Sequence, residues 1–201
     1  MLKKIKSILI ISCSITLLSG LSHADSGDVE AEHDIGLYSN IFSPGMYGLT
    51  IALEKGYKVK NVILTPGARI RSLNTGWLPY LLIGPESKFK WGLGGASGLR
   101  IYLKKKTSML AGFYFGLWAE YFHAAGTRGG VYTWDMGYIS PQGEIGCRWR
   151  INRFLIGFGI SGGALFNIFD KQRYWNGYTM YHETNSLLPI FGLDLELGFT
   201  I

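Results

Sequence analysis

Cysteine and charged residues are both scarce in this chain of 201 residues, and each scarcity excludes a class of protein. Two cysteines are too few to staple a disulfide-dependent scaffold of this length. Charged residues make up 17% of the chain and apolar residues 47%, a balance that excludes intrinsic disorder. The sequence also lacks a basic helix and the Cys/His spacing of a zinc site. We therefore expect no nucleic-acid partner, no metal and no other cofactor.

Long apolar runs are missing as well once the first 24 residues are set aside. A transmembrane helix needs roughly 20 apolar residues, and the best candidate, 154–169, has 16 uncharged residues that include four glycines. Each glycine costs a helix interior about 1 kcal/mol. The 28 glycines and 14% aromatic residues of the whole chain therefore favour strands over helices.

The first 24 residues have the three-part pattern of a secretory signal peptide. Lys3, Lys4 and Lys6 precede an apolar stretch over 7–21, and Ser22-His23-Ala24 provides a cleavage site. We predict cleavage after Ala24, a short periplasmic segment over 25–33 and one domain over 34–201. A lipoprotein signal ending at Cys13 is the less favoured alternative, because the apolar stretch continues beyond that cysteine.

From residue 34 onward the hydrophobic period is two. In 154–168, large apolar side chains such as Phe154, Ile156 and Phe158 alternate with small or polar ones. The same alternation recurs in 91–103, 109–121, 141–151 and 191–201. One face is wide, apolar and rich in aromatic residues, whereas the other concentrates glycine, tyrosine and charge. This arrangement is typical of a transmembrane β-barrel, with apolar side chains toward lipid and polar ones toward the lumen.

The alternation predicts an all-β fold, a single eight-stranded antiparallel up-and-down transmembrane β-barrel. The predicted strands cover about 34–42, 46–54, 60–72, 90–103, 108–122, 136–151, 153–168 and 190–201. Connections at 55–59, 104–107 and Asn152 are short, and we expect them in the periplasm with both termini. Connections at 73–89, 123–135 and 169–189 are longer, and we expect them outside the cell. The segment 192–201 fits the last-strand signal read by the barrel assembly machinery, although it ends on Ile201 rather than on an aromatic residue.

Three segments carry a resemblance to a known family. Residues 39–57 (SNIFSPGMYGLTIALEKGY) look like the opening of a family of small, uncharacterised bacterial outer-membrane β-barrels. GLRIYLK at 98–104 with GFYFG at 112–116 resembles their central hairpin, and GEIGCRW at 143–149 with RFLIG at 153–157 resembles their penultimate hairpin. The resemblance implies an outer-membrane location and this fold. It implies no catalytic residue, because the family has no known function.

The polar face of the predicted strands carries charges that would point into the lumen. An eight-stranded barrel is just wide enough to be filled by side chains, and charges buried there must pair. We therefore expect a network that plugs the lumen, and a proton path or a small pore is the less favoured alternative. Its predicted members are Arg100, Glu120, Glu144, Arg148, Arg150, Asp194 and Glu196.

Catalysis is not expected, although the alternative of an outer-membrane lipid-modifying enzyme stays open. An acyl hydrolase needs a serine, a histidine and an acid near one membrane face. His123, His182 and Ser186 are the candidates for that alternative. The G-x-S-x-G match at 159–163 lies in a strand pattern with no following helix, so it does not indicate a nucleophile elbow.

The last long connection is the best candidate for contact with a molecule outside the cell. Tyrosine, tryptophan and arginine are enriched at binding hot spots, and this segment concentrates them. The alternative is a loop that covers the barrel mouth or meets lipid head groups. The predicted binding residues are Lys171, Arg173, Tyr174, Trp175, Tyr178 and Tyr181. We expect a monomer whose partners are outer-membrane lipids and an extracellular ligand at the long loops.

Overall fold

The computed structural model describes residues 34–43, 46–59, 61–75, 86–103, 110–182 and 187–201. The predicted signal peptide (1–24), the segment 25–33 and the predicted turn at 104–107 lie outside the described residues. The described chain is all-β, and no helix in it is long and apolar enough to cross a membrane. Its ten strands are β1 (Ile35–Ser43), β2 (Met46–Lys55), β3 (Tyr57–Val59), β4 (Val62–Thr75), β5 (Ser87–Leu103), β6 (Gly112–Arg128), β7 (Tyr132–Ile151), β8 (Phe154–Tyr174), β9 (Thr179–His182) and β10 (Leu187–Thr200).

Eight of these strands form a closed antiparallel ring. Each main strand pairs with its neighbours in the order β1, β2, β4, β5, β6, β7, β8 and β10, and β10 pairs back onto β1. The short β3 pairs with β4, and β9 forms a hairpin on β8. The two chain ends meet at one end of the ring, where the Ile201 amide donates to the Ile35 carbonyl at 2.9 Å.

The eight ring strands correspond to the eight predicted ones, but three predicted connections are wrong. The segment 123–135 is mostly strand, and only 129–131 separate β6 from β7. The segment 169–189 contains the end of β8, all of β9 and the start of β10, and 55–59 contains β3. The tight turn at Asn152 is confirmed, and Asn152 adopts the left-handed φ of 56° that asparagine tolerates better than most residues.

The two faces of the ring have opposite chemistry. Along β6, residues 114, 116, 118 and 120 are buried inside the ring, whereas Phe113, Phe115 and Leu117 are exposed on the outside. Leu117 and Phe191 on β10 are 73% and 76% exposed, while Arg100 on β5 is fully buried. The period-two pattern therefore places apolar side chains outside and charged ones inside over most of the height of the ring.

The two faces exchange their chemistry toward the end of the ring that lies away from the chain termini. There the inward side chains are apolar and pack as one cluster: Phe122, Ala124, Tyr132, Trp134, Met136, Tyr138, Leu165 and Ile190. The outward positions of the same strands become polar, as at Thr127, Thr133 and Lys171. This end is thus built like an ordinary water-soluble β-structure, with a core inside and polar groups outside.

Close packing inside the ring depends on glycine at a few positions. A Cβ on Gly98 would lie 2.4 Å from the Leu117 carbonyl oxygen and 2.5 Å from the Trp118 ring. The Trp118 side chain therefore occupies the space that any other residue at 98 would need.

Candidate functional site

The middle of the ring holds a connected set of buried ion pairs. Its centre is Arg100 on β5, whose guanidinium contacts three carboxylates from three other strands. Nη1 lies 2.7 Å from Glu54 Oε1 on β2, and the group also pairs with Glu144 on β7 and Glu196 on β10. Because these partners come from widely separated strands, the contacts run across the ring interior.

Arg148 on β7 pairs with two of the same carboxylates, those of Glu54 and Glu196. Its Nη1 donates to Glu54 Oε2 at 2.8 Å, and its Nη2 donates to Glu196 Oε2 at 2.5 Å. Glu54 and Glu196 thus each bridge two arginines. The Tyr38 hydroxyl adds a hydrogen bond to Glu54 Oε1 at 2.7 Å, so the carboxylate has several donors in place of water.

Two further arginines lie on β4: Arg69 joins this connected set, and Arg71 forms a separate buried pair nearer the apolar cluster. Arg69 Nη2 donates to Glu144 Oε2 at 2.5 Å, and its guanidinium lies 3.4 Å from the Trp118 ring centroid, a cation–π contact. Arg71 Nη1 donates to Glu120 Oε2 at 2.9 Å, and Gln142 Nε2 donates to the same oxygen at 2.6 Å. We call these eight charged residues the interior network: Glu54, Arg69, Arg71, Arg100, Glu120, Glu144, Arg148 and Glu196.

The network is close to charge-balanced and deeply buried. Among the described residues it sets four arginines against four glutamates, and each of the eight is at most 6% exposed. Arg100 and Arg148 also lie over the rings of Tyr114 and Tyr38, each at 4.5 Å. Such a packed set of paired charges resists rearrangement, because removing one member leaves its partner charged in a low-dielectric interior.

Six of the seven predicted lumen residues are buried in the ring, and five of these six, all except Asp194, belong to the interior network. Arg150 lies at the rim near the chain ends, where it pairs with Asp34 and keeps 24% of its side chain exposed. Its inward parity is right, but the strand ends there and the side chain reaches the edge of the ring. Asp194 is buried and accepts a hydrogen bond from Asn40 rather than from an arginine.

Sequence reasoning missed three members of the network, Glu54, Arg69 and Arg71. All three lie on β2 and β4. Alternation between apolar and polar residues is weak in these strands, because alanine, glycine and proline interrupt it on both faces. The signal that could have found them is parity: Glu54 alternates with the outward Leu53, and Arg69 and Arg71 flank the outward Ile70.

The residues considered for catalysis do not form a site among the described residues. His123 lies on the outer face of β6, where its Nε2 pairs with Asp135 on β7 and its ring stands edge-on to Trp91 at 4.9 Å. The backbone of His182 pairs with Asp170 at the end of β9. Ser186 lies outside the described residues. The described part of the chain also contains no group of three His, Cys, Asp or Glu residues placed to hold a metal ion.

The predicted binding loop is a β-hairpin, and its side chains point in different directions. Trp175, Tyr178 and Tyr181 are 73%, 58% and 64% exposed. Tyr174 instead packs against the apolar cluster inside the ring. Lys171 and Arg173 alternate with Tyr174 and lie on the outer face of β8, so the six predicted binding residues do not share one surface.

Comparisons with known proteins support the fold. No protein-family model matches the chain, and no curated protein is similar to it in sequence. A major outer membrane protein from Thermus thermophilus is similar in structure, with a TM-score of 0.50 and 11% identity over 84% of this chain and 99% of that one. Neisserial surface protein A has a TM-score of 0.41 and 11% identity, with 84% and 94% of the two chains covered. The outer membrane protease OmpT from Escherichia coli has a TM-score of 0.37 and 8% identity, with 88% and 99% covered. At these identities the similarity to the Thermus protein is one of fold alone.

Proposed function

We propose that this chain is an integral protein of the bacterial outer membrane. In this proposal the ring is a transmembrane β-barrel, its lumen is closed by the interior network, and the β8–β9 hairpin is presented at the cell surface for binding. The observation that carries the proposal is the inverted placement of polarity, with charges buried inside the ring and apolar side chains exposed outside it.

The outer apolar surface has the dimensions of a membrane belt. Every outward residue of β7 from Ile139 to Ile151 is uncharged. At the usual strand rise and a tilt near 40°, this run covers about 30 Å along the ring axis. That height matches the hydrocarbon core of a bilayer. In water, an apolar surface of this extent around a whole ring would drive aggregation.

The interior network supports a closed lumen rather than a pore. Its contacts connect β2, β4, β5, β6, β7 and β10 across the interior. The apolar cluster packs inside the ring next to the network, on the side away from the chain termini. An open aqueous channel would require several of these buried ion pairs to separate at once, which is costly in a low-dielectric interior.

Orientation and insertion can be tested together by cysteine labelling in intact cells. In a Cys147→Ser background, Tyr178→Cys reports the hairpin and Arg153→Cys reports the turn at the other end of the ring. We expect a membrane-impermeant maleimide to label only Tyr178→Cys in intact cells and both variants after lysis. Labelling of Arg153→Cys alone in intact cells would reverse the proposed orientation, and recovery of the protein outside the outer-membrane fraction would refute the proposal.

The closed lumen is tested by conductance in planar bilayers. We expect the purified, inserted protein to give no steady single-channel current, because the paired charges of the interior network would have to separate before ions could pass. Leu117→Ala, which changes only the outer face, serves as the matched control and should be equally silent. Stable current steps from the wild-type protein would contradict the closed lumen while leaving the membrane location intact.

The binding role of the hairpin is tested on glycan and extracellular-protein arrays. A variant with serine at Trp175, Tyr178 and Tyr181 should lose the binding shown by the wild-type protein, since it loses the exposed aromatic surface. Arg153→Ser at the other end of the ring is the control. Equal binding by the hairpin variant would exclude the hairpin as the binding surface.

A further inference from the structure

We propose that the outer face of β5 to β8 holds a bisphosphorylated glycolipid. Its head group would contact a row of cations and hydroxyls near the top of the ring, which is the end away from the chain termini. One acyl chain would lie in a groove nearer the middle of the ring. The inference rests on the proposed membrane location and adds a specific lipid partner to it.

The head-group site is a single register row across four strands. Lys88 on β5 pairs with Thr127 on β6, Thr127 with Thr133 on β7, and Thr133 with Arg173 on β8. Residues directly opposite each other in an antiparallel ladder point to the same face, so the row presents two cations separated by two hydroxyls. Lys88 and Arg173 are both exposed.

The next row down keeps the local charge positive. Lys171 lies on the outer face of β8, with its Nζ 5.7 Å from the centroid of the Tyr181 ring. Its register partner, Asp135, is engaged by His123. Lys88, Lys90, Lys171 and Arg173 exceed Asp135 and the exposed Glu86 by two charges. Trp91 lies in the same register row as Asp135, as expected where an aromatic belt meets the head-group region.

The acyl-chain site is an outward groove of about 890 Å³. Its floor is formed where Gly143 and Gly162 face each other across β7 and β8. Leu117, Ile145, Ile160 and Phe191 stand around this floor as the walls. A Cβ placed on Gly143 would meet no atom within 4 Å, so the space above that glycine is open.

The two parts are spaced like the two ends of one lipid leaflet. From Thr133, in the cation row, to Gly143 along β7, the usual rise and tilt give about 26 Å along the membrane normal. Half of a bilayer, including its head groups, is about 20 Å thick, and long lysine and arginine side chains can extend several ångströms from their row toward phosphates that lie lower, at the level of Asp135. A lipid whose phosphates lie at the Asp135 level therefore reaches the Gly143–Gly162 floor with the end of its chain.

The width of the cation row favours a head group with two phosphates. Lys88 and Arg173 are three strand spacings apart, or about 14 Å at the usual 4.8 Å between neighbouring strands. A single phosphodiester can contact only one end of such a row. A disaccharide-sized head group with a phosphate at each end can contact both, which is why we assign a glycolipid rather than a glycerophospholipid.

Native mass spectrometry of the purified full-length protein in mild detergent tests the site. The probes are diphosphoryl lipid A, its monophosphoryl form and phosphatidylglycerol. The test variants are Lys88→Gln, Arg173→Gln and Gly143→Leu, and the last fills the groove without a clash at Cβ. The matched controls are Ala68→Leu, which adds apolar volume at an exposed position on the outer face of β4, and Lys55→Gln at the other end of the ring.

We expect the wild-type protein and both controls to bind diphosphoryl lipid A most tightly. Loss of one cation should weaken that binding about fivefold and should remove the preference over the monophosphoryl form. Gly143→Leu should weaken binding of both forms. Equal binding by all variants, or no preference over phosphatidylglycerol, would overturn the inference while leaving the membrane location standing. Failure of the wild-type protein to enter the outer-membrane fraction would instead refute the proposed function, and the lipid site with it.

Discussion

The Arg71–Glu120 pair offers a measurable test of how the interior network acts on stability. Arg71 Nη1 lies 2.9 Å from Glu120 Oε2, and each side chain is 2% exposed. Arg71 Nε also donates to Thr50 Oγ1 at 3.2 Å, and Glu120 also accepts from Gln142. The pair is therefore simpler than the Arg100 centre, where one change would disturb three carboxylates.

The expected magnitude follows from the geometry and the burial. Two unit charges 4 Å apart attract by about 4 kcal/mol at an effective dielectric constant of 20. Arg71→Met leaves Glu120 charged and buried with a neutral amide as its remaining partner, and Glu120→Gln leaves Arg71 without its carboxylate. Each single change should lower the free energy of unfolding by about 3–5 kcal/mol.

The double variant Arg71→Met/Glu120→Gln should lose far less. It buries no unpaired charge, and the new amide can still pair with Gln142. We expect a loss of about 1–2 kcal/mol, against about 6–10 kcal/mol if the two single effects simply added. The difference is the coupling energy of the pair.

Urea unfolding of the protein in phospholipid vesicles measures these values, with the six tryptophans as the fluorescence signal. The rim pair Arg150–Asp34, which is about a quarter exposed, is the internal comparison. Breaking it should cost less than about 1 kcal/mol. Additive losses at Arg71 and Glu120, or single losses as small as those at the rim, would refute the view that buried pairing holds the interior together.

Three further predictions follow from the packing. Gly98→Ala should lower the free energy of unfolding by about 1–3 kcal/mol in the same urea assay, because its methyl group would overlap the Trp118 ring; an unchanged midpoint would contradict this packing. Tyr174→Ala should cost roughly 2–3 kcal/mol, since Tyr174 packs on the apolar cluster, whereas Tyr178→Ala should change stability by no more than about 0.5 kcal/mol. Cys147, on the outer face within the proposed belt, should resist maleimides in vesicles and react only after the protein is unfolded in detergent, because the thiolate that attacks a maleimide does not form in hydrocarbon; rapid reaction in vesicles would place it in water.

Alternation along each strand carried most of the fold information. Because successive side chains of a strand point to opposite faces, period two in 109–121 and 141–151 was enough to predict strands there and to place Glu120, Glu144 and Arg148 on one face. The number of ring strands and the turn at Asn152 followed from the same pattern.

The ends of the long strands could not be predicted from alternation, because the phase reverses within them. In β6, the large apolar side chains are outward at Phe115 and Leu117 but inward at Phe122. A fixed phase therefore ends the strand near His123, whereas the chain continues to Arg128. In the proposed membrane location, the reversal follows from a change of surroundings, with lipid around the part of the ring near the chain termini and water around the opposite end.

The central parts of the strands, their two faces and the charges on the inward face follow from the amino-acid pattern, because they depend on local geometry and on the contrast between apolar and polar side chains. Which charges meet depends on the folded ring. Arg100 pairs with Glu54, Glu144 and Glu196, partners from three separate strands. Closure of the ring, with its particular register between every pair of strands, sets the heights of these side chains relative to one another. The same closure leaves Arg150 at the rim and brings Arg71 to Glu120, since a register is a property of strand pairs and not of any one strand.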